Sequence, residues 1–513
     1  MSSPQELTFS PPPVPAGASG RDLAKTIHEL LMAGAMLLFI GQLLVGTEIF
    51  FASAVFVTLM MVIFTCRTLG FGSIASLLIA AMANDYLIVS QIAKTLYGQP
   101  GDSNLAAPDT TIGVLFAGFA AICAAAILIS RLIGERRIIS VNLTPDVLAN
   151  LRNISFLIGL VFMASNISSD AEAAGAPQYG GLSALTHQFS GIIVLPIAAE
   201  TWRVLMVTRG RTSLSPLLVF FLVGHMANGF LGNSKEAVLV PYIIYLLSAV
   251  AYRQSITRSQ LVSALVGGLA FVFFIYPSIQ LLREERSAAT GISNEATGTF
   301  LLNAIQDPSG LFEQWQKIQG DAPTDLYGYA LNYLGSYDTL AGRFMLISNT
   351  DVIVNAVNED GPYGLGLLSQ TFEQLVPTFL YPDKPRDFTG DIETWYYGLR
   401  SWNVGGAPTI GIFADSFAIM GWAGVILLPF TVMLLFFLGI QVWGRHIGGN
   451  FFGSYFLAAY FHSYTNSSVG GDLSIVLRAM PTYYILVLMC LFLSDMLVDR
   501  QRRRTTKIMA GRN

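Results

Sequence analysis

The segment 111–133, TIGVLFAGFAAICAAAILISRLI, contains no charged side chain before Arg131. About 20 mostly apolar residues are enough for an α-helix to cross the hydrocarbon core of a bilayer. The segment therefore predicts a transmembrane helix.

Comparable apolar segments occur on both sides of it. We predict twelve transmembrane helices, at 27–46, 49–66, 71–93, 111–133, 152–169, 181–206, 214–231, 235–252, 258–281, 421–442, 450–465 and 474–496. The first two are separated only by Gly46, Thr47 and Glu48, so they could also form one long or re-entrant element. The predicted fold is an all-α polytopic membrane protein.

The composition of the chain excludes other classes of protein. Of 513 residues, 53% are hydrophobic and 12% are charged, whereas soluble domains carry about 25% charged residues. An ordinary soluble enzyme and a disordered chain are therefore excluded, and a net charge of -4 offers no basic surface for nucleic acid. Cys66, Cys123 and Cys490 lie in apolar segments without a CxxC pair, so we expect neither a disulfide framework nor a thiolate metal site.

Lys and Arg residues predict the orientation, because cytoplasmic loops of membrane proteins carry an excess of them. Placing both termini in the cytoplasm puts most of these residues on the inner side, including those of the tail 498–513. Outside the long loop, the exceptions are Lys94, Lys235 and Arg478.

This topology divides the chain into five parts. They are a disordered cytoplasmic tail at 1–26, transmembrane helices 1–9 at 27–282, a large external loop at 283–410, transmembrane helices 10–12 at 411–497 and a basic cytoplasmic tail at 498–513. The loop is too long for a passive connector. It contains helix-like stretches at 298–318 and at 363–380, the second amphipathic.

The external loop is rich in aromatic and basic side chains. Aromatic residues suit carbohydrate binding, but a belt at the membrane interface uses the same residues. Arginine can hold phosphate oxygens with two parallel hydrogen bonds, although each basic residue could instead pair with a nearby carboxylate. The basic residues are Arg283, Arg286, Lys317, Arg343, Lys384, Arg386 and Arg400.

Ionisable residues inside membranes are costly and usually mark function. Here most of them fall in the outer halves of the predicted helices, with Glu200 as the main exception. They are Asp85, His187, His225, Lys235, His462, Asp472 and Arg478. An outer polar region beneath a long loop suits a substrate with a lipid tail and an external head, although each residue could also have a structural role.

Three motifs late in the chain resemble those of a known family. They are GPYGL at 361–365, VPTFLYPDKP at 376–385 and TIGIFADSFAIMGWAG at 409–424. Together they resemble bacterial O-antigen and exopolysaccharide repeat-unit polymerases, the Wzy class. Arg400 followed by Gly411 is similar to the Arg-x10-Gly pattern of such loops, and GNSKE at 232–236 has Lys235 where the family usually has arginine.

The resemblance implies a GT-C-like, metal-independent glycosyltransferase in the bacterial inner membrane, without a cofactor. Its partners would be membrane lipids, an undecaprenyl-pyrophosphate-linked oligosaccharide and, as an open question, a chain-length regulator. A sugar hydroxyl of one lipid-linked repeat would attack the anomeric carbon of the growing chain, and undecaprenyl pyrophosphate would leave.

This chemistry needs cations around the leaving pyrophosphate and a base near the acceptor hydroxyl. Asp415 is the first candidate for the base, followed by Glu373 and His462, and Arg400 is the catalytic cation. The further candidates for pyrophosphate binding are Lys235, Arg283, Arg286, Arg343 and Arg478. The turn-forming residues between Arg400 and Asp415 predict that these two side chains share the outer mouth, as a catalytic pair or as a structural salt bridge.

Two alternatives remain open at this point. An O-antigen ligase-like glycosyltransferase would use the same donor with a different acceptor. A polysaccharide transporter or flippase is less well supported, because secondary transporters are built from two related halves and no such symmetry is visible here.

Overall fold

The computed structural model describes residues 20–134, 138–139, 141–172, 191–231, 235–253, 258–288, 299–300, 303, 306–319, 326–335, 345–376, 380–381, 389–401 and 409–510. These residues form helices and no β-strand, which confirms the all-α class.

The helices before the long loop follow the apolar segments of the sequence. They are α1 Gly20–Leu44, α2 Ile49–Leu69, α3 Ile74–Leu96, α4 Pro108–Ile133, α5 Pro145–Glu172, α6 Leu195–Val207, α7 Pro216–Leu231, α8 Lys235–Arg253 and α9, which runs from Arg258–Ala270 through Phe271–Ile275 to Tyr276–Ala288. The segments 27–46 and 49–66 are therefore two helices and not one long element. Because α1 begins at Gly20, the end of the predicted disordered tail 1–26 is helical.

The loop and the C-terminal part contain eight more named helices in their described residues. They are α10 Pro308–Gln319, α11 Leu326–Ala330, α12 Leu346–Asp360, α13 Gly366–Leu375, α14 Thr389–Tyr396, α15 Ile412–Gln441, α16 Phe451–Asn466 and α17, which runs from Val469–Ser474 through Ile475–Ala479 to Met480–Ala510. The basic tail 498–513 is thus a helical continuation of α17 as far as Ala510.

Seven of the described helices are long and apolar enough to cross a membrane. They are Ala24–Leu44, Ile49–Leu69, Ile74–Leu96, Pro108–Ile133, Pro145–Phe162, Ile412–Gln441 and Val469–Gln501. The chain is therefore a polytopic membrane protein. The predicted helices 7, 8, 9 and 11 coincide with the shorter apolar helices Pro216–Phe230, Ala237–Arg253, Gln260–Ala270 and Phe451–Tyr460.

Hydrogen bonds show which helix ends lie together. The Gly101 amide donates to Thr47 at 2.8 Å, and the hydroxyl of Tyr333, from the long loop, donates to the Gly101 carbonyl at 2.6 Å. We call the bundle end formed by residues 44–49, 96–108, 409–412 and 466–469 the loop end. At the opposite end, the Ile74 amide donates to the Arg445 carbonyl at 3.0 Å.

Helix α15 lies against α4, and its first turns, at the loop end, are packed in the core of the bundle. The Phe413 ring packs between Tyr86 and Phe119, with ring centroids 4.8 and 5.0 Å away. Gly118 makes this approach feasible, because a side chain at position 118 would overlap the Phe413 ring. The first turns of α15 are therefore buried in the bundle.

The tenth membrane helix begins earlier than predicted. We expected it at 421–442, but helical structure starts at Ile412, and Met420 and Gly421 interrupt it with non-helical backbone angles. Gly421 has a φ of +60°, which glycine adopts without steric cost. Asp415 consequently lies in a buried helical turn before the break, because the apolar window of the sequence detected only the part after it.

Candidate active site at the loop end

Four acidic side chains of α14, α15 and α17 are buried at the loop end. Asp391 and Glu393 come from α14, Asp415 from the first turn of α15 and Asp472 from the start of α17. Their exposed fractions are 6%, 0%, 0% and 0%. A buried carboxylate is costly unless it is hydrogen-bonded, paired or protonated, so the partners of each one matter.

Asp415 is held by the N-terminus of α17. The Val469 amide donates to Asp415 Oδ2 at 2.6 Å, and the Gly470 amide also donates to this carboxylate. The first amides of a helix have no partner within the helix, and its dipole favours negative charge at this end. These two amides therefore favour the charged form of Asp415.

Glu393 and Asp415 form a buried carboxyl–carboxyl contact. Burial raises the pKa of Glu393 well above its ordinary value, and the adjacent Asp415 raises this pKa further. Because two ionised carboxylates in contact would repel each other, the pair shares one proton. Helix-terminal amides stabilise the charge of Asp415, so the proton resides mainly on Glu393, which donates it toward Asp415.

Arg400 pairs with Asp391 and not with Asp415. Its guanidinium Nη1 donates to Asp391 Oδ1 at 3.4 Å, and the exposed fractions of the two side chains are only 10% and 8%. The salt bridge that was the alternative account of Arg400 and Asp415 is thus replaced by two other pairs. One member of each pair, Asp391 or Glu393, lies on the short helix α14, and the two are two residues apart.

Two π-helical segments flank the acidic residues. Asn84–Ile88 interrupts α3 and carries Asp85 and Tyr86, while Ile475–Ala479 interrupts α17 directly after the turn that carries Asp472. Single-turn π segments are rare and often occur at functional sites. Gly411, with a φ of +85°, lies so close to the Tyr86 hydroxyl that a side chain there would overlap it.

The other predicted site residues are placed as follows. Glu373 is half-buried on α13, and Arg478 is half-buried in the π-helical segment of α17. Lys235 begins α8, Arg283 and Arg286 lie on α9, and His462 lies on α16. The side chains of these four, all of Arg343, and most of the motif at 376–385 lie outside the described residues.

Sequence analysis missed Asp391 and Glu393. Both occur in TGDIETWYYGLR at 389–400, where acidic residues are embedded in an aromatic segment directly before Arg400. That pattern was the available signal. Nothing in the local sequence shows that the two carboxyls are buried, because the burial comes from contacts with α15 and α17.

Other polar residues of the loop end fix the loop to the bundle. Asp351 on α12 accepts from the amides of Ala106 and Ala107, at 2.6 and 3.0 Å, and from the Thr111 hydroxyl at 2.8 Å. It thereby caps the N-terminus of α4 from a distant part of the chain. Burial raises the pKa of Asp351, although these three donors oppose the shift.

Lys94 has a similar anchoring role. Its ammonium group donates to the carbonyl and hydroxyl oxygens of Ser103 at 2.9 and 2.7 Å, and it lies 4.3 Å from the centre of the Tyr333 ring. Lys94 was one of the exceptions to the distribution of basic residues. Buried contacts of this kind give it a structural role at the loop end.

Two of the residues predicted to lie within the membrane have structural partners. The His225 ring nitrogen Nε2 lies 2.9 Å from the Ile193 carbonyl, which fits the structural alternative for this residue. Glu200 accepts hydrogen bonds from Arg152, Arg203 and Ser215. The shortest distance from each arginine is below 3 Å, and the distance from Ser215 is 2.8 Å. This node connects α5, α6 and the start of α7.

No protein-family model, curated protein or solved structure matches the chain. Its candidate site therefore has to be judged from its own chemistry. That chemistry comprises a buried carboxyl pair with one shared proton, a second buried acid–arginine pair two residues away, and a cover of short loop helices.

Proposed function

We propose that the chain is a metal-independent glycosyltransferase that polymerises undecaprenyl-pyrophosphate-linked oligosaccharide repeat units into O-antigen or exopolysaccharide. The observation that carries this proposal is the pairing of Asp415 with Glu393 beside the Arg400–Asp391 ion pair. A carboxylate and a cation are the two groups that this transfer requires, and both lie beneath the long loop.

In the proposed reaction, an acceptor hydroxyl oxygen forms a bond to the anomeric carbon of the growing chain. The bond from this carbon to the pyrophosphate oxygen breaks, and undecaprenyl pyrophosphate leaves with the bonding electrons. Asp415 receives the hydroxyl proton. Arg400 opposes the negative charge that develops on the leaving group, which a fixed cation in a partly dehydrated site does effectively.

Asp391 and Glu393 prepare these two groups for the reaction. Asp391 orients the Arg400 guanidinium, and Glu393 holds a proton against Asp415 until substrate displaces it. Both carboxyls belong to α14, so a movement of this helix would uncover the base and the cation together. The reaction would then take place where lipid tails reach the loop end from the membrane.

The proposed arrangement in the membrane has twelve transmembrane helices and a GT-C-like architecture. Both termini face the cytoplasm, and the loop end faces the periplasm. The bacterial inner membrane supplies the lipid-linked substrate, and a chain-length regulator is a further proposed partner. Seven long apolar helices and four shorter ones coincide with eleven of the twelve proposed helices, which supports a bundle of about this size.

Transport is the second candidate function, and the complete burial of Glu393 and Asp415 favours it. Protonated carboxyl groups inside membrane proteins often belong to proton pathways. A flippase driven by protons would use the same pair without making a glycosidic bond. The two functions differ in whether polymer is formed from repeat units already on the outer face.

A deletion strain separates these possibilities. For a polymerase, lipid carrying a single repeat unit accumulates on the periplasmic side and long polymer disappears, and a plasmid-borne copy restores the polymer. For a flippase, the single-repeat lipid stays on the cytoplasmic side. For a ligase-like enzyme, long lipid-linked polymer accumulates without transfer to its final acceptor. Either of the last two results would refute the proposed function.

A further inference from the structure

Helix α14 is fastened to the bundle at two defined points. At its first residue, the Thr389 hydroxyl donates to the Ser468 hydroxyl at 2.8 Å. At Glu393, one helical turn later, its carboxyl contacts that of Asp415, which accepts from the amide of Val469, the residue after Ser468. The first point is neutral at every ordinary pH, whereas the second requires a proton.

The contact between Glu393 and Asp415 depends on protonation, and it connects a loop helix to a membrane helix. The amides of Val469 and Gly470 favour the charged form of Asp415. If Glu393 also ionised, two negative charges would be in contact with no exposure to water, and they would repel each other strongly. Moving α14 outward would hydrate Glu393 and separate the charges.

Among the residues that the structure describes, the groups that face the pair do not remove this repulsion. Asp472, from α17, adds a further acidic group near Asp415, and Tyr86 of α3 lies near Asp472. Tyr397, at the end of α14, lies near Glu393. Tyrosines stay neutral below a pH of about 10. Among the groups around α14, Arg400 supplies positive charge, but Asp391 pairs with it.

We propose that Glu393 and Asp415 form a proton-dependent latch that closes α14 over the loop end and releases it when the shared proton is lost. The inference concerns the movement of a loop helix and goes beyond the proposed glycosyl transfer. It holds equally for a transporter. Opening would expose the face of α14 that carries Glu393, which is the face that a substrate has to reach.

The direction of the pH response follows from the pKa of Glu393. This pKa is raised in the closed form and returns toward the ordinary value near 4.3 when the side chain is hydrated. A raised pKa stabilises the closed form fully below the ordinary value, and that stabilisation is lost as the pH rises through the raised value. The latch therefore opens on the alkaline side.

The test is a distance measurement without substrate. Spin labels are attached at Tyr396→Cys on α14 and Leu477→Cys on α17, because both native side chains are exposed. The native residues Cys66, Cys123 and Cys490 are replaced by alanine. Distances are measured by pulsed electron paramagnetic resonance in lipid nanodiscs at pH 5.5 and pH 9.5. We expect one short distance at pH 5.5 and an added longer population at pH 9.5.

Glu393→Gln is the matched variant, because its amide can donate to Asp415 but cannot ionise. It should keep the short distance at both pH values, whereas Glu359→Gln, at an exposed position, should behave like the parent. The proposal is overturned if the parent distances do not change up to pH 9.5, or if Glu393→Gln changes as the parent does. Hydrogen exchange of the amides 389–396, corrected for the intrinsic pH dependence, provides a second measurement on the chain with its native cysteines.

Failure of the latch and failure of the proposed function are distinguishable. The distance measurement requires no lipid-linked sugar, and polymer formation in the deletion strain requires no distance change. A chain that opens with pH but makes no polymer would retain the latch and lose the proposed enzyme activity.

Discussion

Asp415 accepts the backbone amide of Val469 at 2.6 Å and thereby joins the first turn of one membrane helix to the first residue of another. The two residues are 54 positions apart, with most of α15 and all of α16 between them. The contact places a negative charge at the positive end of the α17 dipole and next to a glutamate from the long loop. One carboxylate thus connects two membrane helices and the loop that covers them.

The first prediction concerns this carboxylate. Asp415→Asn keeps a side-chain oxygen that can accept from Val469 but removes the base, so the protein should fold and polymer formation should fall at least about 100-fold, in the range typical of general-base loss. The measurement is the ladder of polymer lengths in the complemented deletion strain, normalised to the folded protein in the membrane.

Glu359→Gln is the control for this prediction, since Glu359 is exposed on α12, where it accepts a hydrogen bond from Asn355 of the same helix. It should give the parental ladder. Normal polymer from Asp415→Asn would remove Asp415 from the mechanism and leave Glu373 or His462 as the base to test.

The sequence predicted the membrane class and the positions of the long apolar helices because both depend on local composition. It also predicted that Asp415 and Arg400 share the outer mouth of the bundle, and this stays a prediction. It could not predict their partners. Glu393 meets Asp415 only because α14 folds back onto the bundle, and Asp391 competes for Arg400 within the same short segment. Contacts of this kind are decided by tertiary packing and not by spacing along the chain.

The second prediction concerns Arg400 and Asp391. Because each side chain is nearly buried, removing either charge leaves the other without its ion-pair partner, which is usually more harmful than removing both. Arg400→Ala should therefore lower both the amount of folded protein and the polymer output. The exchange of charges in Arg400→Asp/Asp391→Arg should recover folded protein but not activity, because the cation is displaced from the pyrophosphate.

Membrane levels and polymer ladders of the two single variants and the double variant make this test. Asp391→Asn is the milder variant, since it keeps a side-chain acceptor for the Arg400 guanidinium. Full activity of the double variant would show that Arg400 has only a structural role, and equal activity of Arg400→Ala and the parent would exclude it from the site.

The third prediction concerns Asp351, which caps α4 from the long loop. Asp351→Ala should lower the free energy of unfolding by about 1–3 kcal/mol, since the Thr111 hydroxyl and two amides lose their acceptor. Activity per folded molecule should change little, because Asp351 contacts the anchoring part of the loop. Thermal unfolding in detergent measures the change, with Asp109→Asn, an exposed acidic residue in the first turn of α4, as the control. A parental melting temperature for Asp351→Ala would contradict this assignment.

The fourth prediction concerns the orientation of the bundle. Arg211 and Arg445 belong to the end opposite the loop end, where Arg445 donates to the Leu69 carbonyl at 2.9 Å. Reporter fusions after these two residues should report the cytoplasm, and a fusion at Gly320 should report the periplasm. A cytoplasmic signal at Gly320 would reverse the orientation and refute the proposed reaction, because its substrate would be on the other side.

The fifth prediction is a pH dependence of stability. Burial and the adjacent Asp415 raise the pKa of Glu393 well above its ordinary value, so the folded state binds a proton more tightly at this site than the unfolded chain. The resulting stabilisation is complete below the ordinary glutamate pKa and declines as the pH rises through the raised value. Glu393→Gln removes the titration but keeps a hydrogen-bond donor. The melting temperature of the parent should therefore fall relative to that of Glu393→Gln as the pH increases from 6 to 10, with Glu359→Gln following the parent. A constant difference between the two melting temperatures over this range would show that Glu393 carries no tightly held proton, and Asp415 would then have to be stabilised by the helix amides alone.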